Sequence, residues 1–226
     1  MFDDKIKSAI VGSLKITDKG TGEVLVHKRN AIHVGNMAYI LACALGGKPT
    51  DVNPGGGLPS INWMAFGNGG SNSTTTLSYR SPRVSTIYDG FPMTSSDAKL
   101  YAKTYQQQTI NEVFYPGQVL DPISGEMIPE RTSKINYKVE VSHDDMEAFI
   151  QLTNPSVSLP ATDSSTDAAS VAAFTFDEIG LIAGVTESGT LNEDKSTMLT
   201  HVTFHPVLVS ANRTIIIEYT ITIQIG

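Results

Sequence analysis

The stretch IIIEYTITIQI near the end of the chain sets apolar side chains at every second position: Ile215, Ile217, Tyr219, Ile221, Ile223 and Ile225. Thr214, Glu218, Thr220, Thr222 and Gln224 take the intervening places, with Ile216 the exception. A period of two belongs to an extended strand with one buried and one solvated face. Over residues 214–225 it runs to about twice the usual strand length. The preceding stretch, 198–209, alternates Val202, Phe204 and Leu208 with His201, Thr203 and His205. Ser210-Ala211-Asn212-Arg213 separates the two, so the pattern predicts a core hairpin, one long strand turned back beside the other.

Other stretches carry the same signal. SAIVGSLKITD and GEVLVHK predict an N-terminal hairpin around Lys19-Gly20-Thr21-Gly22, whose glycines supply the positive φ of a tight turn. Residues 61–66, 100–113, 134–141 and 148–152 read as extended. AAFTFDEIGLIAG reads as a strand over 173–176, broken at Asp177 and resumed over 179–183. One segment has helical spacing. Across residues 33–45, Met37, Ile40, Leu41, Ala44 and Leu45 recur at three- and four-residue steps. Gly46-Gly47 reads as its C-cap, Pro49 stops it, and Asn30 is the candidate N-cap. Ala38, Ala42 and Cys43 make the other side apolar too, which predicts burial on both sides.

Residues 69–96 and 155–170 are polar, rich in Gly, Pro, Ser and Thr, and without period. Loops this long inside a domain usually carry function or contact a partner. With no internal repeat and no linker, the chain reads as a single β-rich domain over residues 1–226. The expected architecture is mainly β, a β-sandwich or jelly-roll-like domain with one buried N-terminal helix and long loops. Trp63, Phe66, Phe174, Phe176, Phe204 and Tyr219 are its expected core and assembly residues.

Composition narrows the partners. Only 17% of the 226 residues are charged, below the ~25% typical of globular proteins, which suits two-sided sheets and packed assemblies. The formal charge is −7, and the densest basic group is Lys28-Arg29, with Arg80 and Arg83 further on. A nucleic-acid surface needs a basic stripe to displace counterions, so no nucleic acid is expected as a partner. No apolar run approaches the ~20 residues of a membrane-spanning helix, so no membrane partner is expected either. The opening MFDDKIKSAIVGSL has acids where a secretory signal needs bases. The single cysteine, Cys43, lies in the apolar run AYILACAL and reads as a buried, inert thiol made in a reducing cytoplasm.

Several groups of residues invite a chemical reading. His201 and His205 have H-x-x-x-H spacing, but four residues of strand span roughly 13 Å at ~3.3 Å each. Metal ligands lie about 2 Å from the ion, so the pair is expected as two half-exposed strand histidines. Gly46-Gly47-Lys48 lacks the first glycine of a phosphate loop, since Ala42 stands there, and the helix precedes it. Gly67-Asn68-Gly69-Gly70-Ser71 lacks the nucleophile-elbow pattern and reads as a turn at a strand end. Asp144-Asp145 and Asp177-Glu178 could do acid–base work only if they converged in a cleft. Glu178, beside Phe176 and Ile179, is expected to be partly buried and bonded to backbone groups. Asp163 and Asp167 make at most a weak ion site. No catalytic residue, cofactor or metal is expected, which favours a structural protein over an enzyme.

Three stretches together resemble structural proteins of tailed-bacteriophage particles: TGEVLVHKRNAIHVGNMAYILACAL with the nearby MAFGNGG, then FTFDEIGLIAG, then MLTHVTFHPVLVSANRTIIIEYTITI. They cover about a third of the chain. The resemblance implies a non-enzymatic virion protein of the tail, neck or baseplate, assembled in the host cytoplasm. Its implied partners are itself, as a homo-oligomer, and other virion structural proteins. A capsid decoration protein, or a receptor- or glycan-binding module, is the alternative.

Overall fold

Alternating segments of this kind can bury one face by stacking sheet on sheet, and two large antiparallel sheets result. The computed structural model describes residues 8–47, 60–73, 76–83, 98–114, 118–120, 125–129, 131–145, 174–187 and 190–225. The strands are β1 (Ser8–Asp18), β2 (Val24–Arg29), β3 (Ala31–Ile32), β4 (Ile61–Gly67), β5 (Ser71–Ser73), β6 (Leu77–Tyr79), β7 (Lys103–Gln108) and β8 (Ile110–Phe114). They continue with β9 (Gln118–Leu120), β10 (Met127–Pro129), β11 (Thr132–Val141), β12 (Phe174–Glu187), β13 (Thr190–Met198), β14 (Thr200–Val209) and β15 (Ile215–Ile225). The helix α1 (Val34–Gly46) lies between β3 and β4.

The first sheet runs β2-β1-β15-β11-β8 and the second β3-β14-β12-β4-β7, with β13 pairing the far half of β12. β5–β6 and β9–β10 are separate two-stranded hairpins. Leu14, Ile16, Val139, Ile217 and Tyr219 from the first sheet meet Met64, Phe66, Phe176, Val202 and Phe204 from the second in one core. A chain of rings crosses that core: Tyr105 to Phe66 at 5.4 Å, Phe66 to Phe176 at 5.4 Å, and Phe176 to Phe204 at 5.8 Å. The fold is therefore mainly β and sandwich-like, with the short helix α1 between β3 and β4.

The last two strands do not form a hairpin. β15 pairs with β1 and β11 over its whole length, whereas β14 pairs with β12 and β3. Residues 210–214 instead carry the chain across the ~10 Å between stacked sheets. The long apolar-faced strand so ends up central in its sheet, with no free edge.

Both sides of the sandwich are closed by strands that change sheets. β2 passes into β3 at Asn30, whose N–H donates to the Gly12 carbonyl at 3.1 Å. β7 passes into β8 at Thr109, whose N–H donates to the Asn62 carbonyl at 2.9 Å. Asn30 is thus a corner residue, and its side-chain amide donates to the buried Tyr219 hydroxyl. Burial pushes the Tyr219 phenol well above its ordinary range. The helix cap falls to His33 instead, whose Nδ1 accepts from the Asn36 N–H at 3.0 Å. At the other end Gly47 takes the left-handed conformation, φ 61°, as the C-cap glycine should.

α1 is buried along one side only, through Asn36, Met37 and Ile40. Val34 and Leu45 are exposed, Leu45 by 90%, and Cys43 is half-buried rather than enclosed. Small residues explain this, because Gly35, Ala38, Ala42 and Ala44 offer little surface to a second neighbour. Among the described residues no helix is long and apolar enough to cross a membrane. The expected strand at 148–152 and the loop at 155–170 lie outside the described residues.

Candidate functional site

The acidic pair Asp177-Glu178 sits where β12 loses its alternation. Phe176 and Ile179 are three residues apart, yet both reach the main core. Asp177 and Glu178 therefore fall together on the other face of the sheet. The cause lies in the facing strand. Phe176 pairs with Val207 and Glu178 with Thr203, so Phe204, His205 and Pro206 oppose the single residue Asp177. Pro206 has no N–H to give to the ladder, which is why the register slips there. β12 is continuous through the slip rather than broken at Asp177 as the sequence suggests.

Both carboxylates are buried, Glu178 completely. Glu178 Oε1 accepts the N–H groups of Ala102 at 2.8 Å and Gly69 at 3.1 Å. Its Oε2 accepts the Tyr101 N–H at 2.9 Å and His201 Nε2 at 2.9 Å. His201 Nδ1 in turn accepts the Arg83 N–H at 2.7 Å, so the proton of a neutral ring resides on Nε2 and points at Glu178. Asp177 accepts from Gly70 N–H at 2.7 Å, Ser71 N–H at 2.9 Å and the Ser71 hydroxyl at 2.5 Å. Burial alone would raise the Glu178 carboxyl. The His201 N–H and the N–H groups of Ala102, Tyr101 and Gly69 outweigh it and hold the carboxyl below its ordinary value of 4.5.

Four donors on two enclosed oxygens leave no lone pair for a substrate proton. The pair acts as a clamp that ties the connecting segments at residues 69–71 and 101–102 to the second sheet, and His201 adds the segment at residue 83. The glycines of GNGG follow from it. A Cβ on Gly67 would strike Glu178 Oε1 and come within 2.5 Å of the Ala102 carbonyl, and one on Gly70 would lie 2.5 Å from the Asp177 carbonyl. Gly67→Ala is expected to cost about 1–3 kcal/mol, as overpacking does, and equilibrium urea unfolding measures it. An unchanged midpoint would show that Ala102 and Glu178 give way freely.

His201 and His205 part company. His201 is enclosed, which corrects its expected half-exposure, while His205 is exposed with Nδ1 3.2 Å from the Tyr79 hydroxyl. Asp145 lies in the helical turn over residues 143–145 that follows β11, its carboxylate accepting the Ser142 N–H at 3.0 Å, and Asp144 beside it is open to solvent. Among the described residues no cluster of three His, Cys, Asp or Glu could hold a metal ion.

Phe66, Phe176, Phe204 and Tyr219 lie in the main core, and Phe174 packs at its margin, 5.1 Å from the His143 ring. Trp63 belongs to a second cluster, with Ala65, Leu100, Ile182 and Met198, and its Nε1 donates to the Thr186 hydroxyl at 3.1 Å. Sequence reasoning missed His201 as the partner of Glu178, and the backbone donors from residues 69, 101 and 102. No family model, curated protein or solved structure matches this chain.

Proposed function

We propose that this is a non-enzymatic structural protein of a tailed-bacteriophage particle. It associates with itself and docks on neighbouring tail, neck or baseplate proteins, being made in the host cytoplasm and ending in the virion. The observation that supports this best is strand β8, a terminal strand of the first sheet whose outer side pairs with no other strand among the described residues. Ile110 on it is 74% exposed, with Val113 and Phe114 also open to solvent. An uncovered apolar edge invites pairing with another chain, and a protein present in many copies can use it for assembly. The exposed side of α1, with Val34 and Leu45, offers a second such surface. The buried carboxylates, engaged as a clamp, supply no competing chemistry, and the three phage-like sequence stretches point the same way.

Electron microscopy of particles lacking the protein tests the proposal. Loss of density at a defined tail, neck or baseplate position is the expected result, with defective assembly. Particles that infect normally and lack no density would sink it, and density lost from the head surface would transfer the protein to the decoration class. On the purified chain, Ile110→Asp with Phe114→Asp is expected to shift the mass in sedimentation from oligomer to monomer. A wild-type chain that is monomeric at all concentrations would remove β8 as the assembly edge.

A further inference from the structure

Lys28 and the neighbouring pair Arg80 and Arg83, distant from it in sequence, meet beside β14, and none of the three pairs with a carboxylate among the described residues. Lys28 Nζ lies 5.0 Å from the centre of the Tyr79 ring and donates to the Thr203 carbonyl at 3.3 Å. Arg80 and Arg83 share one ring, their guanidinium carbons 4.9 and 4.6 Å from the centre of Tyr101. The aromatic quadrupole attracts each guanidinium, and neither forms an ion pair with a carboxylate among the described residues. The basic residues that look scattered along the chain are thus gathered by folding, on a protein whose formal charge is −7.

The cluster is held in place before any ligand arrives. The Arg80 carbonyl accepts the Thr203 hydroxyl at 2.9 Å, and its Nε and Nη2 donate to Asn72 Oδ1 at 3.2 and 3.0 Å. The Arg83 N–H is fixed on His201, and the Tyr101 hydroxyl donates to the Ser81 carbonyl at 2.7 Å. Groups already ordered lose little further freedom on binding.

We infer that this cationic–aromatic cluster is a docking site for an acidic polypeptide segment of a partner protein. Planar guanidinium forks match carboxylates in paired hydrogen bonds; Asn72 takes the Nε proton and one Nη2 proton of Arg80, which leaves its other Nη protons and the Arg83 guanidinium to donate. The half-exposed Tyr79 ring adds an apolar surface for the segment's stems. A duplex nucleic acid fits less well. It carries one charge per ~1.7 Å of its axis and would run past three cations onto an acidic molecule, whereas a short segment brings only a few carboxylates. The inference rests on this geometry and does not depend on a place in a virion.

Titration of the ¹⁵N-labelled full chain with a short peptide of alternating Glu and Ala, followed by amide chemical shifts at low salt, tests it. The expected shifts are confined to residues 79–83, Tyr101 and their neighbours, and fade as salt is added. Arg80→Gln with Arg83→Gln should weaken binding about tenfold or more while keeping the wild-type dispersion of the spectrum. Lys15→Gln with Lys138→Gln, on the first sheet, should change it little. Absence of shifts, or shifts equal in the double arginine variant, would overturn the inference. So would a DNA duplex of equal total charge that moves the same amides at lower concentration. Particle assembly enters none of these readings, so this result and that for the proposed function can fail separately.

Discussion

Glu178→Ala is expected to cost about 3–5 kcal/mol of stability, the usual loss when one partner of a buried, hydrogen-bonded pair is removed. Three backbone N–H groups and the His201 Nε2–H would be left inside without an acceptor. Against a total of roughly 5–15 kcal/mol that is a large share. The thermal midpoint should fall by roughly 6–20 °C, at 2–4 °C per kcal/mol for a domain of this size. Glu178→Gln keeps the shape and one acceptor but turns an NH2 toward N–H donors, so a smaller loss of about 1–3 kcal/mol is expected. Midpoints unchanged in both variants would show that water replaces the carboxylate and that the clamp is not structural.

The same residue sets a pH dependence. A carboxyl whose folded pKa lies below its unfolded value of 4.5 stabilises the fold fully above pH 4.5. That contribution is lost as pH falls through the lower, folded value. Stability followed by urea unfolding should therefore decline below about pH 4.5. In Glu178→Gln this component is missing, so the acid decline should be shallower.

Phe176→Ala is the second large effect, about 3–5 kcal/mol, the cost of emptying an aromatic site in a closed core. Phe176 is fully buried and stands edge-on to two rings, at 82° to Phe66 and 83° to Phe204, so its removal breaks the ring chain in the middle. Phe174→Ala, two residues earlier on the same strand but only partly buried, should cost about 1–2 kcal/mol by lost burial alone. Urea unfolding of the two variants with an unchanged m-value would check the contrast. Equal losses would mean that the margin around Phe174 is as tightly enclosed as the centre.

How much of this was legible depends on how local each signal is. The N-terminal hairpin follows the sequence closely, with β1 and β2 joined around Gly20 and Gly22, though of the two glycines only Gly22 takes a positive φ, 73°; alternation and turn glycines act within a few residues. β5–β6 and β9–β10 left no such trace. Their short strands lack a run of alternating apolar residues, so they read as loop or as turn-rich sequence. The helix was visible from its spacing and its terminal glycine. Its cap and its exposure were not, since both depend on what packs against it.

The candidate site divides the same way. The doublet Asp177-Glu178 stood out in the sequence as charge beside core residues, and a bonded structural role could be expected of it. Its partners could not, because Gly69, Tyr101 and His201 reach it from 109, 77 and 23 residues away.

By itself the sequence determined the long alternating strands β1, β2, β11, β14 and β15, which face of β1 and β15 is buried, and where the helix ends. These follow from side-chain period and backbone freedom, which neighbours along the chain decide. Only the tertiary structure decided that β15 lies between β1 and β11 rather than beside β14, and that His201 closes over Glu178. It alone gathered Lys28, Arg80 and Arg83 around two tyrosines. Pairing, burial and charge clustering are set by contacts between distant residues, and alternation of period two specifies a face to cover without saying which strand will cover it.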